Sequence, residues 1–229
     1  NEAAIASVKQ RKKTISHDDL ENAVEKVSLG PARKSRRITA KERKIIAYHE
    51  VGHALTGHFT ENCEPVHKIS IISRGGALGV TWFLPEEDTY LNSEQKMKDE
   101  MVSLHGGRIA ERLIFGQTTT GASSDLERIT NIARSMVTTY GMGDRKQLGP
   151  VVFHKKNQGF AGIEADLSKE HSEETARLID ENVHELVQEA EDRATKILKD
   201  HQDLLENIAQ DLLKKENISR EEFLEYLEK

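Results

Sequence analysis

The most constraining feature of the sequence is the pentapeptide His-Glu-Val-Gly-His at residues 49–53. On an α-helix, residues four positions apart lie nearly above one another, so His49 and His53 would face the same side, one turn apart. Two imidazoles at this spacing can both bind one Zn²⁺ ion at about 2.0–2.1 Å. Glu50 is rotated by about a quarter turn and would instead reach a water molecule on the ion, where a general base is needed. The pattern therefore predicts a helix that carries a metal site.

The residues around the pentapeptide are typical of a buried helix. Thr39 and Glu42 have the spacing of a capping box, which predicts a helix over about residues 40–59. Apolar residues recur along this stretch with helical spacing. Gly52 disfavours a helix by roughly 1 kcal/mol, and we expect it to let another backbone, such as an edge strand, approach the metal closely. The alternative is a core helix whose two histidines are hydrogen-bonded and bind no metal.

The composition excludes several classes of protein. Of the 229 residues, 31% are charged, and no apolar run is long enough to span a membrane, so this piece is expected to be soluble. Cys63 is the only cysteine, which excludes an internal disulfide and fits a reducing compartment. We expect it to be a small buried or loop thiol rather than a metal ligand. The sequence begins at Asn1 without a methionine, and we expect it to be a piece of a longer protein.

Positive charge clusters at residues 9–13 and 33–37. Such clusters can mark nucleic-acid contacts, but these two are short, lack interleaved aromatic residues and flank a predicted helix. We therefore expect a solvated basic linker over residues 31–38, or a contact between domains, and no nucleic-acid partner.

The remaining pattern predicts a mainly α fold with a small β-sheet. The predicted elements are a capped helix from Ser16 to about Gly30, the helix over 40–59, strands at 68–72 and 79–83, a helix over about 93–115, a helix opened by a capping box at Ser124 and closed at Gly141, loop and short strand over 142–168, and C-terminal helices over 168–229. Gly106 and Gly107 lie within the third of these helices and indicate a tight helix–helix contact. The fold class is thus a zincin-like HExxH helix with a C-terminal helical bundle.

A hydrolytic zinc site needs a third protein ligand and one open position. His58 lies five positions after His53, about 500° around the helix, and is expected at the surface or outside the ligand set. The longer pattern HExxHxxGxxH is absent, because Thr56 and Phe59 stand at its glycine and third histidine positions. The residues alone do not choose among the other candidates, which are Glu86, Glu87, His105, Glu111 and Asp125.

Several segments together resemble the protease domain of the FtsH family, which are membrane-bound ATP-dependent AAA+ zinc metalloproteases. These segments are Tyr48–Ala54, Arg74–Thr81, Leu84–Asp88, Gly106–Glu111 and Thr120–Leu126. The resemblance covers about residues 38–225. Residues 1–30 resemble the last helix of the family's AAA+ lid subdomain, which would place the linker at 31–38 and the zinc metalloprotease domain at 39–229.

The resemblance also implies roles for the site residues. The implied zinc ligands are His49, His53 and Asp125. Glu50 would be the catalytic base, and Glu111 would bond a ligand histidine and fix its tautomer. The sequence departs from the family at Arg112, where a second glutamate is common, and this leaves the surroundings of Glu111 open.

The resemblance further implies the setting of the domain. The chain would be the proteolytic part of a homo-hexameric, ATP-dependent protease that degrades unfolded or misassembled membrane and soluble proteins. No GxxxxGK[ST] phosphate loop occurs in the sequence, so ATP and Mg²⁺ would bind a motor domain outside this chain. The expected location is the bacterial inner membrane with the protease domain on the cytoplasmic side; an organelle homologue stays open. Either predicted strand could bind a polypeptide substrate by strand addition.

Two alternatives compete with this interpretation. The chain could be a non-enzymatic helical assembly module that uses its acidic C-terminal helices and binds no zinc. It could also be a metallopeptidase that acts without ATP, which a Walker motif in the upstream sequence would exclude.

Overall fold

The computed structural model describes residues 1–31, 38–85, 87, 89–153 and 172–228. In chain order its elements are α1 (Glu2–Lys9), α2 (His17–Leu29), α3 (Ala40–His58), β1 (Val66–Ser70), β2 (Val80–Phe83), α4 (Glu94–Phe115), a 3-10 turn (Thr120–Ala122), α5 (Ser123–Thr138), α6 (Glu173–Asp200), α7 (Gln202–Lys215), β3 (Asn217–Ser219) and α8 (Arg220–Leu227). The predicted class, mainly α with a small sheet, is confirmed. The predicted loop and short strand over 142–168 has no strand in its described part, residues 142–153. The linker residues 32–37 and residues 154–168 lie outside the described residues. None of the described helices is both long and apolar enough to cross a membrane.

Helix α3 forms the centre of the core. It begins at the predicted capping box, in which Thr39 and Glu42 each bond the other's backbone amide. Its residues are buried almost continuously from Ile46 to Gly57, on all sides of the helix. A helix that is buried all round must be covered by several neighbours, and α3 packs against α4, α7 and β1. The metal motif is therefore held on the most enclosed element of the fold.

Glycines let α3 and α4 approach at backbone distance. A methyl group added at Gly52 would overlap the carbonyl oxygen of Gly106, and one added at Gly106 would overlap the carbonyl of Gly52 and the hydroxyl of Thr56. The predicted helix–helix contact at Gly106 is thus confirmed. The backbone that approaches Gly52 belongs to α4 and not to an edge strand, so that part of the expectation was wrong.

The sheet is antiparallel with the strand order β2-β1-β3. In the register, Ile69 of β1 lies opposite Thr81 of β2 and Ile218 of β3. Ile69 and Ile218 are fully buried and anchor the sheet to the core. Strand β1 is therefore paired on both sides, whereas β2 and β3 are the edge strands of the sheet in the described part of the chain. The sequence predicted β1 and β2 with bounds shifted by one or two residues and missed β3.

Two further expectations need correction. An additional helix, α1, precedes the predicted capped helix. Helix α5 begins at Ser123 after Ala122, without a side-chain cap, so the capping box predicted at Ser124 is wrong. The 3-10 turn explains the difference, because it leads directly into α5 and the hydroxyl of Thr119 accepts the amide of Gly121.

A buried carboxylate joins three parts of the domain. Asp99 on α4 is 1% exposed and accepts hydrogen bonds from Asn62 after α3 at 2.6 Å, Gln95 on α4 at 2.8 Å and Arg193 on α6 at 2.7 Å. Burial alone would raise the pKa of Asp99, but these three bonds outweigh it and hold the pKa below its ordinary value.

Replacement of Asp99 with asparagine is expected to lower the free energy of unfolding by about 2 kcal/mol at pH 7, because Arg193 loses its charged partner. Because the folded pKa is depressed, the stabilisation is complete above the unfolded pKa of about 3.9 and is lost as the pH falls through the folded value. Urea unfolding at pH 7 and pH 5 should therefore give the same difference, which shrinks only below about pH 4. The exposed Asp192→Asn is the matched control and should show no measurable change. A difference that has vanished at pH 5 would contradict the assignment.

Candidate metal centre

Three side chains from two helices converge on one point. His49 and His53 project from α3, and Asp125 lies in the first turn of α5. The Nε2 atoms of the histidines are 3.1 Å apart, and Asp125 Oδ2 lies 3.3 Å from His49 Nε2 and 3.6 Å from His53 Nε2. Among the described residues this is the group of donor atoms able to hold a metal ion.

The spacing of the three atoms fits tetrahedral zinc. Bonds of about 2.0–2.2 Å to imidazole and carboxylate place any two ligand atoms of a tetrahedron roughly 3.3–3.6 Å apart. The three measured separations, from 3.1 to 3.6 Å, lie close to this range. Three protein ligands also leave a fourth position free, as a hydrolytic zinc site requires.

Both histidine rings are oriented by partners on their other nitrogen. His49 Nδ1 lies 2.8 Å from Glu111 Oε1, whose second oxygen accepts the amide of Thr119 at 2.6 Å. His53 Nδ1 lies 2.9 Å from the carbonyl oxygen of Ser103. An acceptor at each Nδ1 favours the tautomer with its proton there, which leaves both Nε2 lone pairs free for an ion.

The charged groups around the site favour the binding of a cation. Burial alone would lower the pKa of His49, but its bonds to Asp125 and Glu111 raise it to about 10. Burial would raise the pKa of Asp125, yet its bonds to His49 and His53 hold it well below the usual range. Three carboxylates, Glu50 among them, thus surround two imidazoles and favour positive charge between them. A bound divalent ion would supply that charge in place of the proton on His49.

Glu50 faces the same space as the three donor atoms. It is 7% exposed, and the hydroxyl of Thr81 on β2 shares its one proton between Glu50 Oε2 at 2.9 Å and the Glu50 backbone carbonyl at 2.7 Å. Burial raises the pKa of Glu50, opposed by attraction to His49 and His53. The hydroxyl therefore holds one carboxylate oxygen of Glu50 against β2.

The site opens into a large cavity. The cavity has a volume of about 1090 Å³, and its lining includes Glu50 and the three donor residues. Apolar residues of α3, of the β1–β2 connection and of β2 line another part of it, namely Ile45, Ile46, Leu78 and Val80. This volume is at the upper end of ordinary ligand sites and is large enough for several residues of an extended peptide.

The other candidate ligands lie elsewhere. His58 is exposed, and its ring packs against Phe59 and Phe223. His105 is buried on α4 outside the donor group, and Glu87 is exposed. Glu86 lies outside the described residues.

Two neighbouring residues have structural partners instead. Arg112 pairs with Glu191 of α6 at 2.6 Å. The thiol of Cys63 lines the cavity but donates to the carbonyl of Asp99, and burial raises its pKa to about 12. The thiolate that a metal would need is therefore disfavoured.

Sequence reasoning missed the contacts that support the site. Thr81 was recognised only as a strand residue. The partner of His53 is the main-chain carbonyl of Ser103, and Glu111, which holds His49, is itself held by the main-chain amide of Thr119. Backbone partners leave no residue-type signal. Only Thr81 offered one, as a hydroxyl on the strand that follows the glycine-rich turn.

A helical domain that carries HExxH on its central helix and a carboxylate on a second helix defines a zinc metallopeptidase. The chain belongs to peptidase family M41, whose model matches residues 36–226.

Named relatives show the same affiliation. The chain is 46% identical over 227 residues to the ATP-dependent zinc metalloprotease FtsH of Kosmotoga olearia, covering 98% of this chain and 35% of that protein. It is 46% identical over 224 residues to the protein of the same name from Thermotoga maritima, covering 97% and 36%. It is 44% identical over 224 residues to FtsH 1 of Conexibacter woesei, covering 97% and 34%. The chain therefore spans about a third of the length of these relatives.

Proposed function

We propose that the chain is the zinc-dependent endopeptidase part of an ATP-dependent protease that degrades unfolded or misassembled proteins. The observation that carries the proposal is the convergence of His49, His53 and Asp125 at zinc spacing, with Glu50 on the same cavity. The proposal assigns those three residues as ligands, Glu50 as the base, and Glu111 as the residue that orients His49.

The residues divide the work of peptide hydrolysis. Zn²⁺, when bound, supplies the Lewis acidity that lowers the pKa of water towards about 7 and polarises a carbonyl. Glu50 accepts the proton of the attacking water and passes it to the leaving amine. The burial of Glu50 suits both steps, because it raises the pKa of the carboxyl group towards neutral pH, where a group can both accept and donate a proton. Thr81 holds the Glu50 carboxylate in place during the transfer.

The sheet topology favours one of the two candidate strands for substrate binding. Both sides of β1 are occupied, by β2 and by β3. Among the residues that the structure describes, β2 pairs only with β1, and Val80, Thr81 and Phe83 line the cavity. An extended substrate could therefore add to β2 through backbone hydrogen bonds, which accept many side chains and give broad specificity.

The domain division is part of the same proposal. Residues 1–30 would be the end of an AAA+ lid, 31–38 a linker and 39–229 the protease domain, of which 168–229 are the C-terminal helices. The family match begins at residue 36, in support of a boundary there. In the N-terminal helices Val8 and Val27 are 74% and 70% exposed, as expected of a surface that further polypeptide covers.

The complete protein would be longer and would assemble. The relatives are called ATP-dependent and are about three times as long as this chain, which leaves room for a motor domain that binds ATP and Mg²⁺ and for membrane segments. We extend the proposal to a homo-hexamer at the bacterial inner membrane, with this domain on the cytoplasmic side and polypeptides as substrates.

Replacement of Asp125 with alanine tests the metal centre. Loss of one of three ligands should lower zinc from one ion per chain to a small fraction after dialysis, measured by elemental analysis. Hydrolysis of an unfolded protein such as casein should be lost with it. Glu127→Ala, an exposed change in the same helical turn, should keep both.

The outcomes separate the proposal from its rivals. Unchanged zinc in Asp125→Ala together with zinc loss in Glu111→Gln would transfer the third ligand to Glu111. A wild-type chain that binds no stoichiometric zinc would favour a helical assembly module.

A further inference from the structure

A buried glutamate of α2 holds the β1–β2 hairpin from outside the protease region. Glu25 is 4% exposed and accepts a hydrogen bond from Lys68 Nζ of β1 at 2.7 Å. Its second oxygen forms an ion pair with Arg74, the residue that opens the β1–β2 turn. A carboxylate that is nearly removed from water and paired with two cations has strong geometric constraints. We call this set of three residues the Glu25 clamp.

Backbone contacts reinforce the clamp at the same turn. The amide of Gly75 donates to the carbonyl oxygen of Pro31 at 3.3 Å. Gly30 has a φ of +92°, and a methyl group there would lie 3.2 Å from the Cα of Gly75. The end of α2 thus meets the tip of the hairpin closely. Within the turn, the backbones of Arg74 and Ala77 form two hydrogen bonds with each other. The position of Arg74 therefore constrains the other residues of the turn.

The opposite side of this hairpin touches Glu50. A methyl group added at Gly79 would lie 2.6 Å from Glu50 Oε1, so the backbone there closes over the carboxylate. Two residues later, Thr81 donates to Glu50 Oε2 at 2.9 Å. Residues 74–81 therefore lie between the clamp on one side and Glu50 on the other.

We propose that Glu25 is a positioning residue for hydrolysis. It holds the turn over residues 74–79 through Lys68 and Arg74, and this turn holds the carboxylate of Glu50 in place. This inference rests on the proposed peptidase function. Glu25 lies before residue 36, where the family match begins, so a helix outside the matched region would contribute to the site. Loss of the carboxylate would leave two neighbouring cations without their common partner, and the turn would shift away from Glu50.

The test compares Glu25→Gln with Glu2→Gln in the 229-residue chain loaded with zinc. Glu2 pairs with Lys26 between α1 and α2 and does not contact the hairpin, so it is a matched removal of an ion-paired carboxylate. For cleavage of a fluorogenic peptide, Glu25→Gln should lower kcat about tenfold, since a small displacement of a catalytic group is costly. KM should rise by a smaller factor than kcat, because β2 keeps the main-chain groups that would bind substrate, and zinc should stay at one ion per chain, because its three proposed ligands are unchanged. Glu2→Gln should match the wild type in all three.

Trp82 provides a readout that does not depend on activity. It is the only tryptophan of the chain and lies directly opposite Lys68 in the β1–β2 register. Its quenching by acrylamide should increase in Glu25→Gln and not in Glu2→Gln. Arg74→Gln should produce the same two changes, and the double variant Glu25→Gln/Arg74→Gln should be no worse than the more affected single variant, because both act through one contact.

Each result decides for or against the proposal. A Glu25→Gln chain with wild-type kcat and wild-type quenching would overturn it, and so would equal losses in Glu25→Gln and Glu2→Gln. If Glu25→Gln does not fold, Arg74→Gln replaces it, because this change removes the same ion pair from the hairpin. Its kcat and the quenching of Trp82 are then compared with those of the wild type. A wild-type chain that binds zinc but cleaves nothing would instead contradict the proposed function, while the quenching of Trp82 still decides whether Glu25 holds the hairpin.

Discussion

Glutamine at position 50 is expected to leave one zinc ion per chain and to lower casein hydrolysis about a thousandfold. Glutamine keeps the volume of Glu50 and can still accept the hydrogen bond from Thr81. It cannot accept the proton that hydrolysis releases, and general acid–base catalysis contributes roughly 10²–10⁴-fold to such reactions. The three proposed ligands are unchanged, so metal content and activity should separate. Elemental analysis and a casein assay on the same preparation measure both.

The control for this variant is Glu61→Gln, the same change at an exposed position shortly after α3. It should keep both zinc and activity. Full activity in Glu50→Gln would remove Glu50 from the role of base. Loss of zinc in Glu50→Gln would instead show that its carboxylate helps to hold the ion.

Alanine at position 107 is expected to weaken zinc binding by about a hundredfold or more without unfolding the chain. A methyl group there would lie 2.5 Å from His49 Nε2 and 2.6 Å from His53 Nε2, in the space where the two nitrogens converge. The rings cannot swing away freely, because Glu111 and the carbonyl of Ser103 hold their other nitrogens. Distortion of such supporting contacts alone costs roughly 10–100-fold in metal affinity.

The loss of zinc affinity in Gly107→Ala should not be accompanied by a loss of helix stability. Alanine in a helix is favoured over glycine by about 1 kcal/mol, so helix α4 itself should not be weakened by Gly107→Ala. Circular dichroism should therefore show wild-type helix content, while competition with a chromogenic zinc chelator reports the lost affinity. Gly76→Ala is the matched control, because a methyl group there has no neighbour within 4 Å. A zinc affinity of Gly107→Ala within threefold of the wild type would refute the placement of α4 beside the ligands.

The sequence predicted those parts of the fold whose signals are local. The reciprocal bonds of Thr39 and Glu42 and the glycine pair at 106 and 107 each act over a few residues, and the helix start and the close contact were both read correctly. Strand β3 could not be found in this way. It has three residues and exists because Ile218 lies beside Ile69, some 150 residues earlier in the chain.

The same distinction holds for the site. The helical period places His49 beside His53, but nothing local connects them with Asp125, and five candidates remained from the residues alone. Which carboxylate reaches the histidines depends on how α4 carries the chain past α3 to the 3-10 turn. The contact between Thr81 and Glu50 depends likewise on the packing of the hairpin against α3.

Because β3 lies near the C-terminal end of the sequence, the sheet can be completed only late in synthesis. The residues of the metal centre have all been made by residue 125, whereas β1 gains its second neighbour only when residues 217–219 emerge. Pairing between segments so distant in the chain forms slowly and late in folding. A nascent chain on the ribosome would thus carry its ion-binding residues well before the sheet beside them is finished.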